Sequence, residues 1–293
     1  MSVVHFTTEV SGGAGGVVIN THQAMLSMGI KSTIISRESA VINELKVVKP
    51  LTKSRQKLRA LKTILSNYFN LIDPMYALFG TENSPVRLQD IERILYDCKP
   101  TTLVFYWTSY FIDLELILKL KHLYPEVKVV FVCMDEAFMT GGCHYSSGCE
   151  GYQVSCAYCP ATRLPNLKLK IKRNLELKIG LLTLIKPIII YPSGHLEKMG
   201  SVSSAFKRHK GHLIPLGAMY RQELIDIHRL VSKQSLLPSS NRIRLLVRSS
   251  SEPRKGCDLF LSALSIIKSK LPNIRELLEV FSIGDDYISQ SNI

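Results

Sequence analysis

Apolar and polar residues follow one another along this chain with a spacing that predicts strands and helices in alternation. The first apolar run, residues 3–6, predicts a strand, and apolar residues at helical spacing predict a helix over residues 18–28. Gly29 is expected to end this helix, because glycine adopts the left-handed conformation there without steric cost. A second strand is predicted from Lys31, so the segment forms a βαβ unit and indicates a parallel sheet.

The same alternation continues to the end of the chain. It predicts helices over residues 88–97, 114–123, 164–182 and 259–270, and strands over residues 102–107, 127–133, 188–191, 242–247 and 278–283. A Ser- and Pro-rich stretch, residues 232–241, has the composition of a linker. We therefore expect an α/β protein with a complete first Rossmann-like domain, residues 1–231. The second, residues 242–293, is too short for a doubly wound domain and is expected to be truncated.

Composition narrows the classes of protein and partner. Hydrophobic residues fill 46% of the 293 positions, which suffices for a buried core and excludes a disordered chain. The formal net charge of +13 indicates an anionic partner, although a basic surface without a special role also fits. The chain has no secretory signal pattern and no apolar run of the ~18 residues that span a bilayer. We therefore expect a cytoplasmic protein whose cysteines are reduced or bound to metal.

Two segments that join a strand to a helix are candidate phosphate sites. In the first, Gly12 and Gly13 lie in the run SGGAGG, where the lack of a Cβ lets backbone N–H groups approach an anion. In the second, RSSSEPRKG, three cations could hold a diphosphate through charged hydrogen bonds. These cations are Arg248, Arg254 and Lys255. A simple chain turn is the alternative for the first segment, and a solvated basic turn for the second.

Four of the seven cysteines lie together after the strand at residues 127–133. They are Cys143, Cys149, Cys156 and Cys159. Thiolates bind zinc in tetrahedral sites, and the C-x2-C spacing of the last two cysteines suits one ion. A structural zinc site, reduced structural cysteines, and disulfide or redox chemistry all fit the spacing. Asp135 and His144 share this segment, which follows a strand end where α/β folds bind ligands.

Basic residues are dense on the helix that follows the cysteines. They are Lys168, Lys170, Lys172, Arg173 and Lys178. A basic amphipathic helix is typical of peripheral contact with an anionic membrane, and the solvated face of a packed helix gives the same pattern. No zinc-finger, RRM or homeodomain pattern supports nucleic-acid binding.

In its motifs the chain resembles sugar-nucleotide glycosyltransferases of the GT-B class, family four. The most specific likeness is the segment from Asp135 to Pro160, with TGGCHY and a final C-x2-CP. It is similar to the bacterial branch that builds polysaccharide, colanic-acid or lipopolysaccharide chains. Further likenesses are the glycine run that opens a helix containing His22 and Gln23, YPS at 191–193, IPLG at 214–217 and EPRKG at 252–256.

The resemblance implies two facing Rossmann-like domains, with the glycan acceptor on the first and a nucleotide-sugar donor on the second. It implies a retaining hexosyltransferase that needs no metal for chemistry and acts in the cytoplasm, peripherally at the inner face of the plasma membrane. Asp135 and His144 would be its catalytic residues. The implied donor-binding residues are Gly12, Gly13, Arg248, Arg254 and Lys255.

Three features depart from the family pattern. Met134 stands where many relatives have a histidine before the aspartate, and Leu216 stands where their IPNG turn has asparagine. The acidic E-x7-E motif of the second domain, which grips the donor sugar, is absent. We therefore expect impaired activity, and the alternative is a non-catalytic acceptor-binding or scaffold remnant of such an enzyme.

Overall fold

The computed structural model describes residues 1–38, 40, 42–48, 71–78, 86–217, 226, 229 and 242–284. The chain divides into two units, Met1–Ala218 and Met219–Ile293. The predicted linker, residues 232–241, lies outside the described residues, so the predicted domain boundaries stay a prediction.

Seven strands of the first unit form one sheet. They are β1 (Ser2–Thr7), β2 (Lys31–Ser36), β3 (Leu45–Val47), β4 (Thr102–Phe105), β5 (Lys128–Val132), β6 (Ile188–Tyr191) and β7 (Gly211–Leu213). Their order is β3-β2-β1-β4-β5-β6-β7, and every neighbouring pair is parallel. The predicted parallel α/β fold is therefore confirmed. The strand order reverses between β1 and β4, and sheets of this kind bind ligands beyond the carboxyl ends of the strands at that point.

Five α-helices connect these strands within the described residues. They are α1 (Gly12–Ser27), α2 (Leu88–Cys98), α3 (Leu114–Leu123), α4 (Pro165–Ile185) and α5 (Gly194–Val202). Gly29 follows α1 with a φ of 74°, as predicted. The Asp113 carboxylate caps α3 by accepting the Leu116 N–H at 2.8 Å. Pro165 begins α4, where its missing N–H leaves no helical bond unmade. No helix in the described part of the chain has the length and apolar content that crossing a bilayer requires.

Both faces of the central strands are buried, as in other parallel sheets covered by helices. On one face the rings of Phe6 and Phe105 stack with centroids 4.7 Å apart, and Phe131 meets Phe105 edge-on at 5.9 Å. Phe138, which follows β5, stacks on Phe131 at 4.6 Å. Val104 packs on the opposite face, since successive side chains of a strand alternate. The first of these cores therefore extends to the edge of the sheet where β5 ends.

The second face also contains a buried polar network. His5 in β1 is fully buried, and its ring nitrogens lie 3.1 Å from the Tyr106 hydroxyl and 3.0 Å from the Ser32 hydroxyl. Ser32 also lies 2.8 Å from Nδ1 of His22, whose Nε2 lies 3.1 Å from the Asn43 carbonyl. Burial, assisted by His22, lowers the pKa of His5 to about 3, so this ring is neutral near pH 7.

The second unit contains a parallel pair of strands, β8 (Ile243–Ser249) and β9 (Leu278–Gly284). Between them lie α6 (Cys257–Lys270) and the short α7 (Ile274–Leu277). A 3-10 turn, Pro253–Lys255, leads into α6. The predicted strand, helix and strand beyond residue 242 are confirmed.

Candidate functional site

The loops after β1 and β4 are joined where the strand order reverses. Thr8 follows β1 and donates its N–H to the Trp107 carbonyl and its hydroxyl to the Ser109 carbonyl, each at 2.7 Å. Tyr110 has a φ of 60°, which is costly for a residue with a side chain and persists only where its surroundings hold it. The backbone that carries Trp107 and Ser109 is therefore fixed by the β1 loop.

The segment that carries Asp135 and His144 is fixed by two neighbours. The His144 N–H donates to the Ala77 carbonyl at 3.3 Å, so residues 71–78 support this segment. The Asn174 side chain of α4 donates to the Gly141 carbonyl at 2.7 Å. The surrounding structure thus supplies hydrogen-bond partners for backbone groups of this loop that would otherwise have none.

Lys178 holds the same segment, which corrects its predicted place on the basic surface of α4. Its ammonium group donates to the Ala137 carbonyl at 2.6 Å and to the Thr140 carbonyl at 3.0 Å. A lysine that satisfies two loop carbonyls has a structural role, and it is not available as one of the surface charges of the helix. Lys170 and Arg173, by contrast, are exposed as predicted.

His144 is the centre of a row of hydrogen-bonded side chains. Its Nδ1 lies 2.5 Å from Oδ2 of Asp135, and its Nε2 lies 3.0 Å from the Ser109 hydroxyl. The indole Nε1 of Trp107 also lies 3.2 Å from Nδ1. An indole N–H cannot donate to a nitrogen that carries its own proton, and the shorter contact with a carboxylate assigns that proton to the bond with Asp135. In the neutral ring Nε2 then accepts the Ser109 hydroxyl.

The predicted residues Asp135 and His144 are therefore brought into direct contact, while their catalytic role stays a prediction. Sequence reasoning missed Ser109 and Trp107. A signal for them was present, because β4 and β5 are neighbouring parallel strands and their following loops must meet at one edge of the sheet.

A cavity of about 260 Å³ lies beside this row. Trp107, Ser109, Asp135 and His144 line it, and further lining comes from α3 and α4. A cavity at the carboxyl edge of a parallel sheet, with convergent polar groups, has the character of a ligand site.

The glycine run after β1 contains a candidate anion site and a close backbone approach. Gly12 has a φ of 66°, and neither Gly12 nor Gly13 has an atom within 4 Å of where a Cβ would lie. Gly15 differs, because a Cβ there would lie 2.3 Å from the Val10 carbonyl carbon. The space beside Gly12 and Gly13 can admit a ligand, while Gly15 is needed for packing.

Glu38 already supplies a negative charge next to this glycine run. One oxygen of its carboxylate accepts the Val10 N–H at 3.0 Å, the Ser11 N–H at 3.3 Å and the Ser11 hydroxyl at 3.1 Å. An anion placed near Gly12 would therefore meet this carboxylate. The predicted diphosphate contact of Gly12 and Gly13 stays a prediction.

The second unit brings three predicted cations together. Lys255 and Arg254 lie in the turn before α6, and Arg248 lies in β8. Burial and repulsion by Arg254 and Arg248 lower the pKa of Lys255. Arg254 also forms an ion pair of 2.5 Å with Glu252, which offsets part of the positive charge. Mutual repulsion beside a helix N-terminus favours a bound anion.

The four clustered cysteines are free thiols, as are the other three. Cys143, Cys156 and Cys159 are buried among core side chains. A hydrogen bond with Cys143 lowers the pKa of Cys159 to about 7. Within the residues that the structure describes, no three histidine, cysteine or acidic side chains are arranged to hold a metal ion. This arrangement agrees with reduced structural cysteines and gives the predicted zinc site no support.

No protein-family model matches the chain. Its sequence is similar to a protein from Escherichia coli (strain K12) that is named as a colanic acid biosynthesis glycosyl transferase, WcaC, with 27% identity over 220 residues. The match covers 70% of this chain and 51% of the relative, so the chain spans about half the length of the curated relative it matches. The similarity indicates homology to a glycosyltransferase.

Solved structures with similar backbones are more distant. A ugt transferase from Siraitia grosvenorii in complex with UDP matches with a TM-score of 0.41 and 9% identity. That match covers 96% of this chain and 71% of the transferase chain. The α,α-trehalose 6-phosphate synthase of Burkholderia multivorans matches with a TM-score of 0.45 and 9% identity, and the match covers 99% of this chain and 65% of the synthase chain. The evidence for the fold of this chain is therefore the seven-stranded parallel sheet described above.

Proposed function

We propose that this protein is a glycosyltransferase that moves a sugar from a nucleotide-sugar donor to a bacterial surface polysaccharide or lipid-linked glycan. The observation that carries the proposal is the 27% identity over 220 residues with a protein named as a glycosyl transferase. The cavity beside His144 supports it, because it lies where parallel α/β sheets bind their ligands.

In this proposal the chain is a retaining hexosyltransferase of the GT-B class, family four, in the colanic-acid and lipopolysaccharide branch. The acceptor binds the first unit near Asp135 and His144, and the donor diphosphate binds Arg248, Arg254 and Lys255. Burial lowers the pKa of Lys255, and repulsion by Arg254 and Arg248 lowers it further; that repulsion supports the second assignment, since a bound diphosphate would relieve it. Charge that develops on the leaving diphosphate would be stabilised there.

Nucleotide binding and turnover test the proposal. Calorimetry with UDP, GDP and dTDP identifies the nucleotide, and hydrolysis or transfer from the matching sugars measures activity. Lys255→Ala should weaken binding of the preferred nucleotide by roughly tenfold, because it removes a charged hydrogen bond. Lys268→Ala removes the same charge from the last turn of α6 and should leave binding unchanged. Wild-type protein that binds no nucleoside diphosphate would refute the assignment.

Peripheral contact with an anionic membrane through α4 is part of the proposal. Lys170 and Arg173 are exposed on this helix, and Leu169 and Leu184 expose 46% and 61% of their surface. Basic and apolar side chains at exposed positions of one helix favour binding to an anionic bilayer surface. Flotation with anionic and with neutral liposomes at low salt tests this contact. Protein that floats with neither kind of liposome would refute it.

A structural zinc ion on Cys143, Cys149, Cys156 and Cys159 is the predicted cofactor besides the donor. The described arrangement of thiols does not support it, and zinc has no part in the reaction proposed. Metal analysis of purified protein decides the question, since a structural site would retain zinc at one ion per chain through purification.

A further inference from the structure

Ser109, His144 and Asp135 are connected in the order of a nucleophile, its base and the acid that orients the base. The Ser109 hydroxyl lies 3.0 Å from Nε2 of His144, within the roughly 2.6–3.2 Å at which a hydroxyl passes its proton to a base. Nδ1 of His144 lies 2.5 Å from Oδ2 of Asp135, a short charged hydrogen bond. Serine, histidine and aspartate joined in this way occur on unrelated folds, so geometry identifies them and position in the sequence does not.

The His144 ring is held in the tautomer that this chemistry requires. Its Nδ1 proton is directed at Asp135, which leaves Nε2 as an acceptor for the Ser109 hydroxyl. The Trp107 ring meets the imidazole edge-on with centroids 6.1 Å apart and restricts its rotation. His144 is therefore placed to take the Ser109 proton as the oxygen attacks, while Asp135 stabilises the imidazolium that forms.

The backbone around Ser109 is strained and fixed. Tyr110, the next residue, has a φ of 60°, and the Thr8 hydroxyl donates to the Ser109 carbonyl at 2.7 Å. Strained backbone of this kind clusters at functional sites, because only a surrounding structure that holds it in place lets it persist. Ser109 and His144 expose only 4% and 2% of their surface, yet both line the cavity. A reactant therefore reaches the Ser109 hydroxyl through the cavity.

The cavity lining indicates the class of reactant. Leu114, Phe138 and Leu181 supply apolar walls, and Lys170 and Arg173 supply positive charge. The volume of about 260 Å³ is near the lower end of ligand pockets, ~300–1,000 Å³, and suits a short acyl group. Cations next to a serine nucleophile stabilise the negative oxygen that forms when a carbonyl group is attacked.

We propose that Ser109 is a nucleophile that accepts the acyl group of a short-chain carboxylic ester in this cavity. Its Oγ bonds to the carbonyl carbon and its proton passes to Nε2 of His144, while the carbonyl electron pair moves to the oxygen beside Lys170 and Arg173. The bond to the alcohol oxygen then breaks, and the alcohol leaves with the proton from His144. Water that gives its proton to the same nitrogen cleaves the acyl–Ser109 ester, which releases the carboxylic acid and restores the hydroxyl. This activity goes beyond sugar transfer and needs no nucleotide sugar.

An alkyl fluorophosphonate that carries biotin tests the nucleophile in the full, unaltered chain. An activated serine oxygen bonds to the phosphorus of this reagent and fluoride leaves, and mass spectrometry of peptides then locates the label. We expect the label on Ser109 in the folded protein and not in urea, because only the folded chain joins this hydroxyl to His144. Ser147 lies exposed in the same segment as His144 and should carry no label.

Hydrolysis of p-nitrophenyl acetate measures turnover. Ser109→Ala should reduce it to the rate of buffer alone, and His144→Gln should lower it by roughly 10²–10⁴-fold, which is what a positioned base contributes. Ser147→Ala is the matched control and should keep the rate of the unaltered chain. Urea midpoints show whether each variant folds, and the position of the label in the unaltered chain decides the question where one does not.

Three results would overturn the proposal. They are a folded chain without label on Ser109, equal labelling in the presence and absence of urea, and ester hydrolysis that persists in a folded Ser109→Ala variant. The first two would show that the Ser109 hydroxyl is not activated, and the third would assign hydrolysis to another nucleophile, such as one of the free thiols. Neither assay contains a sugar donor, so failure here leaves the proposed sugar transfer unaffected.

Discussion

Replacing Gly15 by alanine tests the packing of α1 against the strand end that precedes it. An added Cβ would lie 2.3, 2.6 and 2.8 Å from the carbonyl carbon, carbonyl oxygen and Cα of Val10. These are backbone atoms, so no rotamer change can move them away. Gly16, the next residue of the same helix, has no atom within 4 Å of its added Cβ and is the matched control.

The two substitutions should change stability in opposite directions. Alanine is favoured over glycine inside a helix by about 1 kcal/mol, which Gly16→Ala should gain in full. Gly15→Ala has the same intrinsic gain, but overpacking against fixed atoms costs about 1–3 kcal/mol, and a contact at 2.3 Å belongs at the upper end. We therefore expect Gly15→Ala to destabilise by about 1–2 kcal/mol and Gly16→Ala to stabilise by about 1 kcal/mol.

Urea unfolding followed by Trp107 fluorescence measures this difference, because the single tryptophan lies in the first unit and reports its unfolding. Gly15→Ala should lower the midpoint, and Gly16→Ala should raise it. Equal shifts of the two midpoints in the same direction would refute the reasoning, since the close approach to Val10 would then have no energetic effect.

Three further predictions follow from the described contacts. The pKa of His5 is about 3 in the folded chain and near 6.5 in the unfolded chain, so the unfolded chain takes up the proton first as the pH falls. The free energy of unfolding should therefore decrease below pH 6.5, by at most about 1.4 kcal/mol per pH unit. Urea midpoints at pH 7 and pH 5 check this, and His5→Gln should reduce the difference. Glu38→Gln keeps an oxygen acceptor for the β1 loop but removes the negative charge beside Gly12. If the donor phosphate approaches Gly12, the variant should bind UDP up to roughly fivefold more tightly in calorimetry. Unchanged affinity would count against that approach. Lys178→Met leaves two loop carbonyls without their donor and should destabilise the first unit by about 1–3 kcal/mol. Lys172→Met removes only a surface ion pair with Glu176 from a half-buried position and should change the urea midpoint little.

The sheet could be predicted because its strands are buried on both faces. Continuous apolar runs such as those in β4 and β5 are typical of strands with both faces buried, and their alternation with helices predicted that the strands are parallel. The buried face of α4 was equally clear, since Ile171, Leu175 and Leu182 recur at helical spacing and are all fully buried.

Short elements were beyond the reach of the same reasoning. Strands β3 and β7 have three residues each, too few to show a period of two, and α5 is a nine-residue helix of mixed composition. Their place in the fold is set by tertiary contacts. One example is the Tyr191 side chain, because a Cβ at Gly200 would lie 2.2 Å from its hydroxyl oxygen and a Cβ at Gly211 would lie 2.2 Å from its ring.

The candidate site was predictable in part. Asp135 and His144 are nine residues apart and their proximity to the cysteines was visible, but Ser109 is separated from His144 by 35 residues and reaches it only through the pairing of β4 with β5. The direction of Lys178 was equally hidden, because helical spacing does not reveal which loop carbonyls lie within reach of a long side chain.

Thr8 joins the loop after β1 to the loop after β4 in the first unit. Its N–H binds the Trp107 carbonyl and its hydroxyl binds the Ser109 carbonyl. The glycine run begins at Gly12, a few residues further along the chain. The glycine run and the backbone that lines the neighbouring cavity are therefore both anchored through a single residue.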